Sequence, residues 1–118
     1  MTEIIKIGQT ESPGEAYYLP AEKLISGNPE QNAWTQYTDP GEKYFAGIWC
    51  SDIGKWKISY TEEEYCEILE GKSVITDSAG NAVTVTAGYR FVIPAGFEGT
   101  WEVVDRCKKI FVIYESGV

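Results

Sequence analysis

Gly88-Tyr89-Arg90-Phe91-Val92-Ile93-Pro94-Ala95-Gly96-Phe97-Glu98-Gly99-Thr100-Trp101-Glu102 sets two β-strand signals on either side of a tight turn. Ala87-Gly88 leads into Tyr89 to Ile93, an aromatic and β-branched run that suits a pleated, half-buried surface. Pro94-Ala95-Gly96 reads as the turn, because Pro presets φ and Gly accepts the positive φ that other residues avoid. The next strand signal runs from Thr100 to Val104. Nothing in the stretch repeats at the 3.6-residue period of a helix.

The same pattern continues on both sides. Upstream, Trp56-Lys57-Ile58-Ser59-Tyr60 alternates strictly, with Trp56, Ile58 and Tyr60 on one face of a half-buried strand. Past the polar run Thr61 to Glu64 come Tyr65 to Glu70, ending at Gly71, and then Ser73 to Thr76. Gly80-Asn81 between β-branched runs predicts a hairpin into Ala82 to Thr86. The last strand is expected over Lys109 to Tyr114. Short strands broken by turns at roughly 8–12-residue intervals argue for an all-β sandwich or barrel over residues 41–118.

Residues 1–40 read differently, being punctuated by Pro13, Pro20, Pro29 and Pro40. Pro20 to Ile25, closed by Ser26-Gly27, predicts a single helical turn with Pro at its start. Tyr17, Tyr18, Trp34 and Tyr37 are too many aromatics for a solvated linker, so this N-terminal arm is expected to pack on the barrel or on a second copy of the chain.

Composition removes several classes of chemistry. The 118 residues contain no histidine, which excludes Ser-His-Asp and Cys-His nucleophile pairs, HExxH zinc sites and a His general base. Carboxylate, Tyr, Lys and Cys chemistry remain. With 18 Asp+Glu against 10 Lys+Arg, the net charge of −8 opposes nucleic acid and anionic membrane surfaces. No apolar run is long enough to span a bilayer, and Met1-Thr2-Glu3-Ile4-Ile5-Lys6 does not read as a secretory signal. Cys50, Cys66 and Cys107 are odd in number and widely spaced, so they are expected as buried thiols in a cytoplasmic protein.

The turn spacings carry a resemblance. Gly88, five residues and Pro94-x-Gly96 resemble the second signature of the cupin superfamily, and Glu64, six residues and Gly71 resemble the end of its first. Residues 34–114 carry the likeness. Lys55-Trp56 to Tyr60, Glu64-Tyr65-Cys66, Leu69-Glu70-Gly71 and Phe91 to Glu102 are similar to a small DUF861-type subfamily, related to ureidoglycine aminohydrolase and an ethanolamine-utilisation accessory protein. The resemblance implies a single-domain jelly-roll β-barrel, two antiparallel sheets closing on one pocket.

It also implies four metal-ligand positions, and here the chain departs from the pattern. The first-motif His-x-His falls at Ile58/Tyr60 or Lys57/Ser59, and the second-motif His falls at Gly99, leaving Glu64 alone. One carboxylate does not rebuild a site that gains its affinity from imidazole, so no metal and no cofactor are expected. By strand alternation, Glu64, Cys66 and Ile68 share one face, and Trp101 shares that of Gly99. The pocket is therefore expected to be lined by Trp56, Ile58, Tyr60, Glu64, Cys66 and Trp101, with Trp101 read chiefly as core. A carboxylate in such a pocket, with few cations in reach, meets the cost of desolvation alone and becomes a candidate acid, base or ligand anchor.

These residues support a cupin that binds a small molecule without the histidine-held metal. Alternatively, the chain is a metal-independent enzyme acting on a small ureido or carboxylate compound, with Glu64 as acid/base and Tyr60 assisting. A third reading is an accessory module. A homodimer formed through the arm is the expected assembly.

Overall fold

The computed structural model describes residues 2–7 and 14–116, so Met1 and Pro13, used above, lie outside the described residues. Among the described residues nine strands follow in order: β1 Glu15–Tyr17, β2 Leu24–Ser26, β3 Gln31–Thr38, β4 Tyr44–Ser51, β5 Gly54–Ser59, β6 Glu63–Asp77, β7 Ala82–Thr86, β8 Arg90–Ile93 and β9 Glu98–Tyr114. The helical turn expected after Pro20 is a 3₁₀ turn, Ala21–Lys23, which passes directly into β2. All pairings are antiparallel. The architecture is a jelly-roll β-barrel, all-β as the turn spacing predicts and of the kind that the resemblance implies.

Two long strands organise the barrel. The sequence suggests breaks at Gly71 and between Val104 and Lys109, yet β6 and β9 run through both, as continuous strands of 15 and 17 residues. They pair with each other along their lengths, and the register slips between Ile68 and Ser73. This is a bend, not an end. Gly71 adopts φ 86°, and a Cβ there would lie 2.0 Å from the Arg106 carbonyl oxygen. Glycine is required both for the dihedral and for the close approach of β9. Each bent strand therefore serves both sheets. The first half of β6 carries β8 and the second half β7, while the first half of β9 carries β5 and the second half β4.

Residues 15–38 attach to the barrel by joining its sheet: β3 pairs with β4, β1 with β3, and β2 with β5. Residues 2–7 are exposed, with Ile4 91% accessible. Among the described residues no helix is long and apolar enough to cross a membrane.

The core lies between the sheets and contains Trp49, Trp56, Ile68, Ile75, Val85, Ile93, Trp101, Val103, Cys107 and Phe111. The cysteines are unpaired and buried. The phase expected for β6 holds, with Glu64, Cys66 and Ile68 inward and Tyr65 and Leu69 on the other face, half-buried.

Candidate functional site

A cavity of about 230 Å³ lies between the sheets. The Pro94-Ala95-Gly96 turn helps to build it, because Gly96 N–H donates to the Tyr60 carbonyl (2.7 Å) and Tyr60 N–H donates to the Phe97 carbonyl (2.9 Å). Tyr60 is thereby fixed at the end of β5, four residues before Glu64 at the start of β6. The phenol reaches Glu64 directly: Tyr60 Oη donates to Glu64 Oε1 at 2.6 Å.

The second carboxylate oxygen takes a partner that the sequence reading missed. Lys109 Nζ lies 3.2 Å from Glu64 Oε2, and both side chains are 6% exposed. The ammonium also sits 3.6 Å from Cys66 Sγ, 4.3 Å from the Trp101 ring centroid and 4.8 Å from that of Trp49. The expectation that few cations reach Glu64 is thus corrected. A fixed ammonium stands beside it, held by charge on one side and by indole faces on the other. The missed signal was strand phase. Ile110-Phe111-Val112-Ile113 is apolar at both parities and gives no phase of its own, but continuity of β9 from buried Trp101 through Cys107 places Lys109 inward.

Of the residues expected in the pocket, Trp56, Ile58, Tyr60, Glu64 and Trp101 line the cavity. Cys66 points inward and is fully buried, but it touches the site through Lys109 and does not form its wall. Tyr17, Gln31, Ala33, Trp49, Phe111 and Ile113 complete the lining and were not foreseen. Trp49 and Trp101 meet edge to face at 5.5 Å, and Trp49 and Trp56 at 6.1 Å. Their orientation is set by hydrogen bonds. Trp101 Nε1 donates to Ser73 Oγ (3.0 Å) and Trp49 Nε1 to Gln31 Oε1 (3.3 Å), while Gln31 Nε2 donates to Ser51 Oγ (3.3 Å).

Burial sets the proton affinities. It pulls the Lys109 ammonium toward deprotonation, but Glu64, Cys66 and Tyr60 together outweigh it, Glu64 the most, and hold the pKa above the ordinary lysine value. Burial pushes the Cys66 thiol up to about 12, against the opposing pull of Lys109, so it is no thiolate nucleophile near neutrality. The Tyr60 phenol is likewise raised, first by burial and then by Glu64 against the pull of Lys109.

The metal implied by the cupin pattern does not fit these donors. At Gly99 a Cβ would lie 1.9 Å from the Thr76 carbonyl oxygen, so this backbone carries no side chain at the second-motif histidine position. Glu64 already accepts from a phenol and an ammonium, and Cys66 holds its proton. Among the described residues no group of three or more His, Cys, Asp or Glu is placed to hold a metal.

The EutQ-like cupin domain model matches residues 38–111. Solved structures share the fold. The Clostridium difficile EutQ protein superposes with a TM-score of 0.65 at 18% identity, covering 74% of this chain and 64% of that one. A DUF861-family protein of unknown function from Pseudomonas syringae gives 0.75 at 17% identity, covering 85% and 44%. A DUF861-family protein from Thermotoga maritima gives 0.53 at 28% identity, covering 54% and 73%. The chain thus spans less than two thirds of the EutQ and Pseudomonas proteins. No curated protein matches it.

Proposed function

This chain belongs to the EutQ-like cupin domain family, and from that premise we propose that it is a small-molecule-binding cupin in which the Lys109 ammonium stands in for the metal cation. The supporting observation is the Glu64–Lys109 pair beside a cavity of about 230 Å³ walled by three tryptophans. A buried ion pair is a poor device for stability, because desolvation cancels most of its Coulomb energy. In a pocket wall, the same pair presents a hydrogen-bond acceptor and a donor to whatever enters.

The test is a thermal-shift screen of small acids, sugars, amides and ureido compounds on the wild-type chain and on Glu64→Gln. A ligand at a hundredfold over its Kd adds roughly 2.7 kcal/mol to stability. Binding that weakens on Glu64→Gln supports the reading, while a screen without hits, or hits indifferent to the substitution, removes it.

One contact favours the enzymatic alternative. Tyr60 Oη and Lys109 Nζ both donate to Glu64, at 2.6 Å and 3.2 Å, so two proton carriers converge on one carboxylate, which suits proton movement to and from a bound metabolite. Turnover lost on Glu64→Gln with ligand binding retained would select it. Compartment and assembly belong with the proposal. The buried, unpaired cysteines fit a reducing cytoplasm, and the exposed Ile4, Ile5 and Ile7 fit a homodimer formed through the N-terminal arm.

A further inference from the structure

The charges in the cavity wall can be counted. Among the described lining residues only Glu64 and Lys109 are charged, so the pocket carries one negative and one positive group in contact, and a net charge of zero. Resting on the binding reading above, we infer that the ligand is itself uncharged: a flat molecule with a carbonyl-type acceptor beside an N–H donor, of the amide class.

Each ionic alternative meets a specific obstacle. A cationic ligand would seek the indole faces, and two of the three indoles, Trp101 and Trp49, already carry the Lys109 ammonium at 4.3 and 4.8 Å. It would also stand beside a like charge. An anionic ligand drawn to Lys109 approaches Glu64 equally, since only 3.2 Å separates the two. Either ion leaves water without a countercharge waiting for it, which is the costly case.

A neutral amide meets no such cost. Among the described residues, Lys109 spends two of its three N–H donors, on Glu64 and Cys66, and keeps the third. The Glu64 oxygens accept from Tyr60 and Lys109, with the Cys66 thiol a further partner, and a carboxylate's roughly four lone-pair sites leave room for an N–H. The acceptor and donor of the ligand are therefore both matched. Indole walls favour a flat shape. A cavity of about 230 Å³ sets the scale at a small molecule.

Benzamide, benzoate and benzamidinium share size and planarity and differ in charge, so they separate the cases. Titrated into the full chain by calorimetry, with tryptophan fluorescence as a second signal, benzamide is expected to bind at least roughly tenfold more tightly than either ion. Preference should then rotate with the wall: Glu64→Gln leaves Lys109 alone and should select benzoate, while Lys109→Met leaves Glu64 alone and should select benzamidinium. Benzoate or benzamidinium binding the wild type as well as benzamide would overturn the neutral-ligand inference and leave the pocket reading standing. Failure of all three at millimolar concentration, with no hit in the broader screen, would remove both. Circular dichroism of the two variants shows whether they fold, and the wild-type ranking decides the matter if they do not.

Discussion

Ile68 is the cross-strand partner of Lys109 on β9, and between them they fix the inward phase of both long strands: Ile68 is fully buried, and Lys109 is 4% exposed. That pairing commits a lysine to the interior, and among the described residues the carboxylate that pairs with it there is Glu64, four residues before Ile68 on β6.

Removing either charge alone should therefore cost more than removing both. Lys109→Met is expected to destabilise the chain by about 3–5 kcal/mol, because it strands a buried carboxylate. The double variant Lys109→Met/Glu64→Gln should recover most of the loss. Urea denaturation midpoints of the two single variants, the double variant and the wild type measure the coupling. A Lys109→Met cost under about 1 kcal/mol would contradict the burial of the pair.

Alkali should unfold the protein earlier than its neutral-pH stability suggests. The Cys66 thiol, the Tyr60 phenol and the Lys109 ammonium all have folded-state pKa values raised above their ordinary values of 9.0, 10.0 and 10.5. Each contributes stability that is complete below its unfolded pKa and is lost as pH climbs toward the folded one. Decline should begin near pH 9 with Cys66, steepening by about 1.4 kcal/mol per pH unit for each proton involved. Denaturation at a series of pH values from 7 to 11 reads this directly, and Cys66→Ala should remove the earliest part of the decline.

Gly71→Ala and Gly80→Ala share a positive φ but should differ in effect. At Gly80 a Cβ meets nothing within 4 Å, so the cost is the left-handed backbone alone, about 1–2 kcal/mol. At Gly71, where φ is 86°, the Arg106 carbonyl blocks the new methyl as well, and a loss several times larger, or a chain that does not fold, is expected. By the same logic Gly99→His should destabilise the protein against the Thr76 carbonyl without creating a metal site, as metal analysis after purification would show.

Ile4, Ile5 and Ile7 stand 91%, 59% and 46% exposed. If they are covered by a second copy, light scattering should give twice the chain mass for the wild type and a monomer for the triple Ser variant. A wild-type monomer would remove the dimer.

How much of this was legible depended on where the chain alternates cleanly. Trp56-x-Ile58-x-Tyr60 has one apolar face, and its three residues line the cavity as read. The Pro94-Ala95-Gly96 turn and the Gly80-Asn81 hairpin were readable because few residues tolerate their dihedrals, both glycines having φ of 91°. Gly71 carries the same signal and was misjudged, since a positive φ marks a bulge within a strand as well as a strand end. Lys109 was missed because the residues after it are apolar on both faces and hide the phase. Trp49, Gln31 and Tyr17 reach the cavity through pairings of β1, β3 and β4, and register between distant strands is not written in local pattern.

The bend that carries β6 and β9 from one sheet into the other also limits how the pocket can breathe. Two strands run unbroken through the crease at Gly71, so the two halves of the barrel are tied to one another there by covalent chain. Lys109 and Trp101 lie on opposite sides of that crease on the same strand, so their 4.3 Å contact is a gauge of the angle between the sheets. A ligand that widens that angle is expected to draw the ammonium away from the indole, a change that tryptophan emission would register.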